Sequence, residues 1–181
     1  MPVTRKKKSA APAGVAKSPA PRGGSGGLKV KEGDRAPDFS VAGSNGKKVS
    51  LKDYRGSAVV LYFYPKDDTP GCTVEACEFG AGHGKFEKAG AVVLGVSPDS
   101  LASHDKFITK FKLPFVLLAD EEKKVAGLYG TWTQKSMYGL KYMGMQRSTF
   151  LVGRDGRVAR VWPKVSPKGH AAEVLAAIAE L

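Results

Sequence analysis

The apolar positions of this chain fall into two patterns. Unbroken runs of β-branched, apolar and aromatic residues occur at Val59–Tyr64 (VVLYFY), Ala91–Val96 (AVVLGV) and Phe115–Ala119 (FVLLA). Runs of this kind mark strands covered on both faces. Shorter strands are expected at Phe39–Val41 and Lys48–Leu51, with Asn45-Gly46 between them as a hairpin turn. Asp53–Ser57 reads as a turn into the central strand. Arg147–Val152 and Val158–Val161 read as an antiparallel pair about Asp155-Gly156. Helical spacing appears from Thr69 to about Lys88, where Phe79, Phe86 and Ala89 can share a buried face. It returns at Leu101–Phe111, which Pro114 stops, around Lys123–Tyr129, and at Gly169–Leu181. Strands alternating with helices, then a hairpin and a helix, predict a layered α/β fold. The expected architecture is a thioredoxin-like central mixed sheet flanked by helices, with an N-terminal β-hairpin.

Composition changes this picture at one end. The chain has 181 residues and a formal net charge of +12. Residues 1–30 carry seven basic groups and no acid, so the remainder carries +5. Residues 1–27 are mostly Ala, Pro, Gly, Ser and Lys, with little to bury, and read as a disordered basic tail. Gly23–Gly27 is a flexible linker that lacks the Lys-Ser/Thr of a phosphate loop. Residues 28–181 are the expected domain, long enough for one sizeable core. For the Arg5–Lys8 cluster three readings stand: a solvated extension, weak salt-sensitive contact with nucleic acid, or a targeting peptide. No apolar run approaches a membrane span of about 20 residues. Two cysteines do not make a secreted disulfide framework and suggest a reducing compartment, the cytoplasm.

The chemistry concentrates after the first buried strand. Pro65 ends that strand, and Lys66-Asp67-Asp68 is a polar loop whose acids should point away from a thiolate. Thr69 is a good helix N-cap and Pro70 suits the first helical position. Cys72 then falls at the third helical position, with the Thr69 hydroxyl aimed at its backbone N–H. A thiol at the positive end of a helix dipole is favoured as thiolate, and the free N–H groups can hold a negative oxygen. Cys72 alone reads equally well as a buried structural cysteine. Cys77 alters the balance. On a helix, positions i and i+5 lie about 140° apart and roughly 8.7 Å between Cα atoms. A disulfide requires less than about 7 Å. The two cysteines can therefore bond only if the first turns unwind, which suits a cycling disulfide rather than a structural one. Cys72, Cys77 and His83 do not share a helical face, so a metal site is not expected.

Pro65-x-x-x-Thr69-x-x-Cys72 resembles the active-site signature of the peroxiredoxins, and TPGCTVEAC resembles their bacterioferritin comigratory protein (peroxiredoxin Q) class. Gly33–Phe39 is similar to the opening G-x-x-A-P-x-F segment of the same family. The resemblance runs from about Lys31 to the C-terminus. It implies a thiol-dependent peroxidase that requires no cofactor and acts on hydrogen peroxide and organic hydroperoxides. Cys72 is then the peroxidatic nucleophile and Cys77 the resolving cysteine. Pro65, Thr69 and Arg147 complete the site, with Arg147, in Arg147-Ser148-Thr149-Phe150, beside the thiolate. Thioredoxin or a similar dithiol is the implied reductant, and a monomer is expected. Without the resemblance, Arg147 reads as a surface residue at a strand end. Glu75 is expected to pair with a nearby base, and Trp132 to pack near the site. A protein disulfide oxidoreductase and a nucleic-acid-associated protein acting through the tail are the competing readings. Gly80, Gly82 and Gly84 should weaken the helix after Cys77, either to ease its opening or to allow close packing.

Overall fold

The computed structural model describes residues 27–181; the basic tail lies outside these residues apart from Gly27. A five-stranded sheet carries the fold, in the order β5-β4-β3-β8-β9. Its strands are β3 (Ala58–Phe63), β4 (Ala91–Ser97), β5 (Val116–Ala119), β8 (Ser148–Val152) and β9 (Val158–Trp162). The β3-β4 and β4-β5 pairs are parallel, and the β3-β8 and β8-β9 pairs antiparallel, so the sheet is mixed as expected. Outside it, β1 (Ser40–Ala42) and β2 (Lys48–Ser50) form the N-terminal hairpin.

The side-chain alternation of β3 explains why its whole run is apolar. Val60, Tyr62 and Tyr64 enter the core layer shared with α1 (Pro70–Ala81), α2 (His83–Lys88), α3 (Leu101–Phe111) and α5 (His170–Ile178). Val59, Leu61 and Phe63 enter the opposite layer, with α4 (Lys124–Tyr129) and the hairpin. With both faces covered, no position of the strand can be polar without loss. Gly95 of β4 makes room for the Tyr62 ring: a Cβ there would stand 2.9 Å from the Tyr62 hydroxyl and 2.7 Å from Leu117.

Three features differ from expectation. The long helix to Lys88 is two helices, α1 and α2, which break at Gly82. The turn before β3 is a 3₁₀ helix, Leu51–Tyr54, whose first turn is closed by Asp53 accepting the Ser50 N–H at 2.9 Å. An antiparallel arm that the pattern does not announce, β6 (Trp132–Met137) and β7 (Leu140–Met145), turns through Tyr138-Gly139. Most of its side chains are exposed on both faces, so no burial-driven alternation marks it. Among the described residues no helix is long and apolar enough to cross a membrane.

Candidate active site

Strand β3 delivers the chain to the edge of the helical layer, and the Pro65–Thr69 loop turns it into α1. Pro70 takes the first helical position and Cys72 the third, as expected. Cys72 is buried at 2% exposure and Cys77, on the same helix, is exposed; both are free thiols. The Gly71 and Cys72 N–H groups belong to the first turn, which has no intrahelical partner for them. Thr69 takes the extended backbone of an N-cap (φ −102°, ψ 155°), and its carbonyl accepts the first helical bond, from Thr73 N–H at 2.8 Å. Its hydroxyl, however, does not cap the helix. It donates to the Lys66 carbonyl at 2.8 Å. The cause is the intervening turn, where Asp68 adopts a left-handed conformation (φ 53°) and brings that carbonyl within reach.

Arg147, next to the first residue of β8, points at the cysteine. Its Nη2 donates to Cys72 Sγ at 3.3 Å, and its Nη1 donates to Glu75 Oε2 at 2.6 Å. Gly71 keeps this approach open, since a Cβ there would stand 3.1 Å from Arg147 Nη2. The side chain of Glu75 is wholly buried and that of Arg147 is 16% exposed. Burial drives the Glu75 carboxyl up to about 7 despite the guanidinium beside it. Burial acts to lower Arg147, but Glu75 and Cys72 outweigh it and hold the guanidinium above its usual value. Glu75 thus has the basic partner expected of it.

Lys135 of β6 is a third charged group here, and one the sequence does not reveal. Its ammonium donates to the Met145 carbonyl, two residues before Arg147. Its pKa is lowered, first by burial and then by Arg147, while Cys72 acts to raise it. The arm therefore carries a second cation toward the thiol. Trp132 packs half-buried against the opposite layer, with the Lys123 ammonium 5.4 Å from its ring centre.

The acids before Thr69 do not behave as one solvated loop. Asp68 is exposed and pairs with Lys110 at 2.8 Å. Asp67 is buried and turns into α3, where Ser103 and His104 meet its carboxylate. Among the described residues, no cluster of three His, Cys, Asp or Glu could hold a metal ion.

Comparison with known proteins gives this geometry its context. The AhpC/TSA family profile matches residues 32–161. The chain is 47% identical to peroxiredoxin Bcp of Bacillus subtilis over 154 residues, which covers 85% of this chain and 98% of the relative. It is 40% identical to peroxiredoxin Bcp of Escherichia coli over 141 residues, 78% of this chain and 90% of the relative. The structure of Xanthomonas campestris peroxiredoxin Q superposes with a TM-score of 0.78 at 40% identity, covering 84% of this chain and 97% of that one. A structure of the bacterioferritin comigratory protein of the same organism, studied for its alkyl peroxide reduction, superposes equally well at 39% identity, covering 84% and 98%. A cysteine at a helix N-terminus under an arginine, on this fold and with these relatives, identifies the chain as a member of the AhpC/TSA family and a thiol peroxidase of the Bcp (peroxiredoxin Q) type.

Proposed function

We propose that Cys72 reduces hydrogen peroxide and organic hydroperoxides, and that Cys77 resolves the oxidised thiol. The observation that carries this reading is the Arg147 guanidinium 3.3 Å from Cys72 Sγ at the start of α1. The Cys72 thiolate attacks the terminal oxygen of ROOH. Two electrons pass from sulfur to the O–O bond, which breaks. The departing alkoxide takes up a proton and leaves as ROH, and Cys72 is left as a sulfenic acid. Arg147 and the first-turn N–H groups stabilise the charge spread over sulfur and the two oxygens. The Thr69 hydroxyl spends its own proton on Lys66, so its lone pairs are available to accept the hydroperoxide proton. Pro65 closes β3 and directs the loop beneath this group.

In the second half of the cycle, the Cys77 thiolate attacks the sulfenyl sulfur. The hydroxyl departs as water, and a Cys72–Cys77 disulfide forms. This requires α1 to open, for the separation reasons given above. A dithiol such as thioredoxin then reduces the disulfide by exchange and is itself oxidised. The X. campestris relative's alkyl peroxide reduction supports the substrate class. The scarcity of cysteines supports action in a reducing compartment, the cytoplasm, and we take the working unit to be a monomer.

The test is single-turnover peroxide consumption followed by mass spectrometry of the labelled thiols. Cys72→Ser should consume no peroxide. Cys77→Ser should consume one equivalent and stop at the sulfenic acid. Full activity in Cys72→Ser overturns the assignment.

A further inference from the structure

Beneath the Pro65–Thr69 loop lies a buried polar network that the proposed chemistry does not use. The Asp67 side chain is 3% exposed and that of His104 is fully buried. Asp67 Oδ1 accepts from the Tyr64 hydroxyl at 2.6 Å. Its Oδ2 accepts from the Ser103 hydroxyl at 2.8 Å and stands 2.7 Å from His104 Nδ1. His104 Nε2 lies 3.0 Å from the Leu118 carbonyl on β5. That carbonyl can only accept, so Nε2 carries a proton. Nδ1 faces a carboxylate oxygen, so a second proton lies between the two side chains. The loop backbone is held as well, because Asp67 N–H donates to Asp99 Oδ2 at 2.8 Å, and Ser97 donates to the same oxygen at 2.7 Å. The next residue, Asp68, sits in the left-handed region, and Lys110 of α3 holds it at 2.8 Å. A non-glycine residue keeps such a conformation when its surroundings over-determine it.

We infer that Asp67 and His104 are positioning residues for the peroxide step: together they latch the loop before Thr69 to α3 and β5. The latch fixes Thr69 and the first turn of α1 against Arg147. It also sets where opening of α1 begins: Asp67 is tied to α3 and, through His104, to β5, so unwinding starts beyond it, where the contacts of Cys72 and Glu75 with Arg147 must give way. Loss of the latch should therefore slow attack on peroxide without slowing disulfide formation. This rests on Cys72 being the peroxidatic nucleophile.

Asp67→Ala and His104→Leu test it. Each should slow the first peroxide turnover of the reduced protein by up to about 100-fold, the scale of a misplacement of about 1 Å. Disulfide formation after that step should be as fast as in the wild type or faster. Amide exchange at residues 66–72 should rise relative to the sheet. Asp67→Asn should restore the first step to within a few-fold: its amide can donate to Nδ1 of a neutral His104, and its carbonyl can still accept from Tyr64. If either large substitution fails to fold, Ser103→Ala and Tyr64→Phe each remove one hydrogen bond to Asp67. They should produce smaller changes in the same direction. The latch is overturned if the peroxide step stays at wild-type speed in a folded variant, if both steps slow in parallel, or if Asp67→Asn is as slow as Asp67→Ala. Amide exchange needs no chemistry, so it reads the latch even if Cys72 proves not to be the nucleophile. Absence of a disulfide in the wild type would count against the role of Cys77 and leave the first-step result standing.

Discussion

Glu75 keeps a carboxyl in the core because Arg147 needs an anchor, and the cost of that burial depends on pH. Its folded value of about 7 lies above the ordinary 4.5. Below about pH 4.5 both the folded and unfolded chains hold the proton, and the group has no effect on stability. As pH rises toward 7 the unfolded chain loses its proton first, so the folded state is progressively disfavoured. The full cost is on the order of 3 kcal/mol above pH 7. Glu75→Gln keeps an acceptor for Arg147 and removes the titration. Urea unfolding should show the variant gaining on the wild type between pH 4.5 and 7.5, and a constant difference would contradict the assignment. At the same scale, Arg147→Ala should slow single-turnover peroxide reduction by about 100-fold, as loss of one charge-stabilising donor does elsewhere. An unchanged rate would remove Arg147 from the chemistry.

At the scale of the element, the three glycines after Cys77 separate into different cases. Gly82 is the break between α1 and α2. Gly84 has open space around it, whereas a Cβ on Gly80 would meet Pro114 Cδ at 3.3 Å. A proline ring gives way poorly, so packing accounts for Gly80 and leaves Gly84 without a tertiary reason. Gly84→Ala should stabilise the protein by up to about 1 kcal/mol in urea unfolding, through helix propensity alone. Gly80→Ala should gain nothing or lose stability. Only Gly80 lies within the helix that must open. If helix weakness speeds resolution, Gly80→Ala should slow disulfide formation and raise sulfinic acid at Cys72 under excess peroxide, while Gly84→Ala should not. Mass spectrometry of Cys72 after a peroxide pulse distinguishes the two.

For the molecule as a whole, the described domain begins its contacts immediately after the tail. Lys29 N–H donates to the Tyr129 carbonyl at 3.1 Å. Removal of residues 1–26 should therefore leave peroxidase turnover and Tm unchanged. If the Arg5–Lys8 cluster contacts nucleic acid, the full chain should be retained on DNA at low salt and released steeply as salt rises. Equal retention of the truncated protein would dismiss that role. Sedimentation at micromolar concentration should give a single species at the 19.2 kDa chain mass.

What could be read from the residues themselves is what depends on near neighbours. A strand buried on both faces must be apolar throughout, so β3, β4 and β5 announce themselves. A proline at the first helical position dictates that Cys72 falls at the third. Thr69 shows the limit of that logic: its extended cap backbone follows from local pattern, but its hydroxyl follows the left-handed turn at Asp68. The β6–β7 arm escaped because exposure on both faces leaves no periodic imprint. The remaining decisions join positions remote in the chain. Arg147 meets Cys72 and Glu75 across 75 and 72 residues, because β3 and β8 are neighbours in the sheet. Asp67 reads as a solvated loop residue until α3 sets His104 against it, 37 residues on. Such contacts are created by the packing of elements, which removes water from both partners at once. No property of either residue alone records that event.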